Sequence, residues 1–478
     1  MYSVFQLKPA NLRLLIFLTI ISCLLLNCSE DSEEKPTEII DVNSDDLTYL
    51  EPSNQRTGDP NLGRDYLLTG DYVGSGVPID LFYTYYGGDD RNLLNRTGIN
   101  EDIPVGFTAI STNSGVDVVA PNCFQCHASS INNEFILGLG NSFADFTISQ
   151  GGTITLLNGI VASTYGINSP EWEAYLPFSE GTRATGDKLM TETVGVNPAD
   201  KLALILAAHR DAENLNWLET PHSEIPEEVI PSDIPPWWTL SKKNAMFYSG
   251  GGQGDFARIS MASSLLSIRD TVEARRIDDH FGDVISFINE LEAPSFPNSI
   301  DQKLADEGEL IFLDHCSTCH GTYGENESYP NYWVALDLIQ TDRNLSEANF
   351  GSQGFIDWYN SSWFGKDPYS AKILPNAGYV APPLDGIWAS APYLHNGSVP
   401  DLHSLLNSQD RPAIWKRPLN TSDYNFDKIG WNYQELEAKG NKFDYDTNLK
   451  GYSNEGHYFG DILSELERNK LLEYLKTL

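Results

Sequence analysis

The chain has 478 residues, 41% hydrophobic and 11% aromatic, which supplies real cores and excludes a mostly disordered or collagen-like chain. Lys and Arg number 31 against 67 Asp and Glu, a net charge of −36, and that sign excludes a nucleic-acid binder. The only long apolar run lies at the N-terminus, which excludes a multi-pass membrane protein.

Residues 1–28 read as an export signal. Lys8 and Arg13 make a positive n-region, and Leu14–Leu26 is apolar but short for a membrane span. The run ends at Asn27-Cys28-Ser29, with Glu30 and Asp31 directly behind. A cysteine in that place resembles a bacterial lipoprotein signal, with Cys28 as the lipidated first mature residue and Cys23 as the alternative. That would leave the protein exported, periplasmic or at the cell surface, anchored to a bacterial membrane. Residues 29–61 are polar and acidic and read as a flexible tether.

Residues 62–298 are expected to form an N-terminal unit. Val116–Val119 and Pro121 predict an extended approach to Cys123-Phe124-Gln125-Cys126-His127. Gly151–Trp238 reads as an insertion that builds walls around this motif. Asp283–Leu291 puts Val284, Ile285, Phe287, Ile288 and Leu291 on one helical face, and Pro294 and Pro297 then mark a linker. Residues 299–478 are expected to form the second unit. Leu304–Leu313 predicts a helix with Gly308 and Phe312 four apart on one face, running into Cys316-Ser317-Thr318-Cys319-His320. Leu463–Leu478 predicts a last, amphipathic helix, with Gly308 allowing close approach and Phe312 stacking on Tyr474. That crossing resembles the first and last helices of cytochromes c.

The chemistry sits in the two C-x-x-C-H motifs. Four of the six cysteines lie in them and the other two in the signal, so none is spare for a disulfide framework. C-x-x-C-H is the attachment pattern of c-type haem: two thiols add to two vinyl groups, and the adjacent imidazole ligates the iron. The expected attachment and proximal residues are Cys123, Cys126 and His127 for one haem, and Cys316, Cys319 and His320 for the other. A thioredoxin-like pair or half a zinc site leaves the repeated histidine unexplained. No methionine follows the second motif, so His/Met ligation from its own half is excluded there. His395, His403 and His457 are its downstream histidines. For the first haem His209, His222, Met190, Met246 and Met261 are all open by position, and as distal acid or base Glu213, Glu219, Glu224 or His222.

Two further stretches carry a family resemblance. Gly378–Trp388 running into Ala391-Pro392-Tyr393-Leu394-His395-Asn396-Gly397-Ser398-Val399-Pro400 resembles the signature loop of the bacterial dihaem cytochrome c peroxidase and MauG superfamily. Pro235-Pro236-Trp237-Trp238, Lys242–Tyr248 and Gly252-Gln253-Gly254-Asp255 resemble its rubber-oxygenase-like branch. The resemblance implies a mainly α fold of two cytochrome c-like haem domains with long loop-rich insertions. It implies a second haem held by His320 and a distal histidine, His457 in preference to His395. It implies a first haem with His127 proximal and an open face walled by Trp237, Trp238 and Phe247. The reading is a haem-dependent oxidoreductase: one haem works on O₂ or peroxide, and the other, low-spin, carries electrons. The alternative is an electron-transfer cytochrome with both haems six-coordinate. A basic electron-transfer partner suits the acidic surface, Trp388 offers a relay between the haems, and the peroxidase relatives add a calcium ion.

Overall fold

The computed structural model describes residue 40 and residues 42–478. The expected signal, Cys23 and Cys28 lie outside them. Asp41–Leu478 form one compact unit. No helix among the described residues is long and apolar enough to cross a membrane.

Among the described residues, the stretch expected to be part of a tether is docked. Strand β1 (Leu47–Tyr49) pairs antiparallel with Tyr332–Ala335, and Leu50 behind it is buried. Arg56 ion-pairs with Asp255 at 2.8 Å and Asp278 at 2.7 Å. Acidic composition signals solvation, but a strand pairing, buried Leu50 and one arginine anchor this stretch.

Helix α1 (Pro60–Thr69) starts where composition turns apolar, with Asp59 capping the N–H groups of Asn61 and Leu62 and Pro60 at its first position. Strands β2 (Phe107–Ser111) and β3 (Asp117–Pro121) pair before the first motif, and β4 (Ala128–Ile131) and β5 (Glu134–Leu137) make a hairpin after it. The insertion carries α2 (Gly151–Tyr165), α3 (Pro170–Thr185) and α4 (Ala199–Ala208). Helix α5 (Thr271–Asn289) buries Ala274, Ile277, Phe281, Val284, Ile285 and Ile288 along one stripe and crosses α1. At that crossing a Cβ on Gly63 would meet the Asp283 carbonyl oxygen at 2.0 Å, so only glycine fits.

The second motif is built the same way. Helix α6 (Gln302–His315), capped by Asp301, crosses the last helix, and Gly308 is the contact: a Cβ there would meet the Lys470 carbonyl at 2.0 Å. Strand β6 (Tyr332–Ala335) lies between β1 and β7 (Gly378–Val380). A short helix α7 (Leu402–Leu405) precedes α8 (Glu465–Leu475), the last helix, which opens with a Ser464/Glu467 capping box. Phe312 and Tyr474 stack with ring centroids 5.2 Å apart, as expected.

The fold class needs correction. The molecule is 39% helical and 13% strand, with small mixed sheets, and is not mainly α. The strands run from two to five residues, too short to leave a period in the sequence. Nor does the packing separate into two cytochrome c-like domains. The core around the first motif takes in Trp358, Tyr359, Trp363, Phe364, Ala371 and Ile373 from the second half of the chain. The core around the second motif takes in Ile131, Leu139 and Trp238 from the first half.

Candidate haem sites

Around the first motif the backbone makes one 3-10 turn, Cys123–Gln125, capped by the Asn122 side chain, which accepts from the Phe124 N–H at 2.9 Å. The chain leaves through β4, so His127 stands between a tight turn and a hairpin. Its carbonyl accepts from the Gly138 N–H at 2.9 Å, and the Gly138 carbonyl accepts from the Trp237 N–H at 2.9 Å. These two bonds bring the Trp237 indole onto the His127 ring, centroids 4.8 Å apart and planes 23° apart. His127 Nδ1 is buried without a hydrogen-bond partner. Burial pushes the imidazole pKa down to about 4, with the Pro235 carbonyl opposing.

At the second motif α6 delivers Cys316 directly, and a single helical turn, Ser317–His320, completes it. His320 Nδ1 lies 2.8 Å from the Pro382 carbonyl. A carbonyl only accepts, so Nδ1 carries the proton and Nε2 keeps the lone pair, the state in which an imidazole ligates a metal. Burial lowers the pKa of this ring, again with a carbonyl opposing. The His457 ring stands across from it, centroids 6.2 Å apart and planes 54° apart. Two imidazoles sharing one metal through bonds of about 2 Å have centroids about 6 Å apart. His457 adopts φ +51°, a left-handed backbone, which costs a non-glycine residue about 1–2 kcal/mol. Its N–H bonds the Ile339 carbonyl at 2.7 Å, and its Nδ1 is buried without a partner. Burial first, then the neighbouring His320 and Arg411, push its pKa down to about 3, so the ring is neutral.

The four motif cysteines are free thiols. Burial pushes Cys123 and Cys319 up to about 11, and Cys126 and Cys316 up to about 12. A protonated thiol in apolar surroundings is a poor redox nucleophile. Among the described residues no group of three or more His, Cys, Asp or Glu gathers to hold a metal ion. The free thiols and the unpaired imidazole nitrogens fit c-type haem.

The three expected wall residues part company. Trp237 lies on His127. Trp238 is buried in the second core and donates Nε1–H to the Asp385 carbonyl at 2.8 Å. Phe247, at φ +68°, is 42% exposed. Trp388 donates to the Pro294 carbonyl at 2.7 Å and meets Phe296 edge-on. Of the groups open as sixth ligand to the first haem, Met190 is 46% exposed and Met261 fully buried in the core. His209 is held by the Leu218 carbonyl, His222 by the Ala207 carbonyl, and Met246 packs half-buried on the first core. Glu213, Glu219 and Glu224 are exposed.

One cluster escaped the sequence reading. Asp233 accepts from the Tyr248 hydroxyl at 3.3 Å, and its N–H bonds the His395 carbonyl at 2.7 Å. Burial pushes Asp233 up to about 8 and His395 down to about 3, so both are neutral near pH 7. His395 stacks on Tyr379 at 4.0 Å and its Nε2 has no partner. No local spacing links residues so far apart in the chain. Lys243, pushed down to about 8 by burial alone, is a further deep group without a sequence signal.

Residues 378–416 match the family described as RoxA-like, cytochrome c-like. This stretch holds the Pro382 anchor, Trp388 and His395. Two uncharacterized proteins of Sinorhizobium fredii (strain NBRC 101917 / NGR234) are similar over part of the chain. One, y4iM, is 29% identical over 246 residues, 47% of this chain and 54% of its own. The other, y4iJ, is 31% identical over 253 residues, 39% of this chain and 41% of its own. The chain thus spans about half or less of the curated relatives it matches. The C-x-x-C-H motifs and the RoxA-like, cytochrome c-like segment together support a c-type cytochrome with covalently attached haem.

Proposed function

We propose that the protein is an exported dihaem oxidoreductase in which the two haems do different work. The observation that carries this is the contrast between the two motif histidines: His320 has a second imidazole across from it, centroids 6.2 Å apart, whereas the ring against His127 is an indole stacked at 4.8 Å, which cannot ligate iron. A haem with two protein ligands stores and passes electrons, and one with an open face takes O₂ or peroxide.

His320 and His457 would hold the second haem, with Pro382 fixing the proton on His320 Nδ1. Cys123, Cys126 and His127 would hold the first, with Trp237 orienting the His127 ring by stacking. The Trp237-Trp238 pair supports electron passage between the two. Trp237 lies on His127, and Trp238 bonds Asp385, three residues beyond the carbonyl that holds His320. The 67 acidic residues favour a basic electron-transfer partner, and Cys28 would supply a lipid anchor.

The test is EPR and visible spectroscopy of the haem-loaded protein before and after dithionite and CO. One high-spin, CO-binding haem beside one low-spin haem is expected. Two low-spin haems that ignore CO would overturn the open site and leave an electron-transfer cytochrome.

A further inference from the structure

We propose that Arg411 is the positioning residue that fixes the sixth ligand of the second haem, an inference that rests on the reading of His457 as that ligand. Arg411 donates to five main-chain carbonyls. Nε reaches Ser404 at 3.2 Å, Nη1 reaches Asn454 and Gly456 at 2.7 Å each, and Nη2 reaches Leu405 at 2.8 Å and His457 at 3.2 Å. A guanidinium has five N–H bonds, so the carbonyls account for all of them and none is left for a carboxylate.

The five carbonyls belong to two pieces of chain. Ser404 and Leu405 end α7, whose last carbonyls lack helical partners. Asn454, Gly456 and His457 form the loop that presents the imidazole. Arg411 therefore ties that loop to a helix end. The loop needs tying because its backbone is unusual. Gly456 sits at φ +80° and His457 at φ +51°, and a Cβ on Gly456 would meet the Thr341 N at 2.2 Å. A histidine leaves the left-handed region readily once its peptide is free to turn. Two of the five bonds grip the carbonyls on either side of the His457 N–Cα pair, which is where that turn would occur.

Lysine keeps the charge at this place but not the planar fork, so it separates positioning from electrostatics. The experiment compares parent, R411K, R411M and H457A as haem-loaded full chains. EPR and CO-displacement kinetics are read on the second haem, together with covalent haem content. Both Arg411 variants should keep two haems per chain and an unchanged first-haem signal. Their low-spin signal from the second haem should become heterogeneous, with CO displacing the sixth ligand about tenfold faster or more, as expected for losing charge-assisted hydrogen bonds. R411K, closest in size and charge, covers the case in which R411M does not fold. Parental spectra and rates in R411K and R411M, beside a high-spin H457A, would overturn the role of Arg411 and leave the ligand reading standing. Parental behaviour in R411K alone would assign the effect to charge and overturn positioning. An unchanged second-haem spectrum in H457A would overturn the ligand reading itself.

Discussion

The two C-x-x-C-H motifs share their chemistry and differ in what surrounds them. The second follows a helix, α6, whose axis aims the motif, and its histidine is gripped at Nδ1 by Pro382 and faced by His457. The first follows a strand, closes in one 3-10 turn and opens into a hairpin; its histidine is covered by an indole, with the Pro235 carbonyl beside it. A C-x-x-C-H motif is local in sequence, while residues far away in the chain decide what surrounds its histidine.

The sharpest way to break this comparison is to remove one attachment at a time. Cys316→Ala should cost about half the covalently bound haem, and Cys123→Ala the other half. A pyridine haemochrome yield of one haem per parent chain would contradict two sites. Next come the two helix crossings. Gly63→Ala and Gly308→Ala each drive a methyl into a carbonyl oxygen at 2.0 Å. Each should destabilise by about 1–3 kcal/mol or more, read as a lower thermal midpoint. An unchanged midpoint in either would show that the crossing is looser than its partner. A smaller effect is expected from Phe312→Leu. It removes the stack on Tyr474 and should cost about 1 kcal/mol, with the first haem spectrum unchanged.

A pH profile sharpens the comparison at the Asp233–His395 cluster. The pKa of Asp233 is raised to about 8 when folded, so its contribution is present at low pH and is lost as pH rises from about 4 through 8. His395 is lowered to about 3, so its contribution is present above about 6.5 and is lost as pH falls below that. Asp233→Asn should flatten the alkaline side of the stability profile and His395→Gln the acid side, in thermal melts across pH. Parallel profiles in parent and variants would remove these groups from the account.

Part of this is legible in the sequence, because its signals are local. A 3.6-residue period marks α5, and Gly308 with Phe312 and Tyr474 marks a crossing. The His457 ring stands 6.2 Å from His320. What was hidden is non-local or carried by the backbone. The Pro382 carbonyl and the five carbonyls on Arg411 have no side-chain signature. Trp237 and Trp238 are neighbours in sequence, yet a single 3-10 start sends one to the first motif and the other to the second core. The acidic stretch before residue 62 read as solvated, because one strand pairing and two ion pairs leave no period.

The shared cores also set an order of events during synthesis. The chain grows from its N-terminus, so Cys123 and Cys126 emerge long before Trp358–Ile373, which complete the packing around them. The second pair has a different clock. The packing around it is completed only by Leu471–Leu475, in the last helix. Each motif thus precedes in synthesis the residues that complete its surroundings.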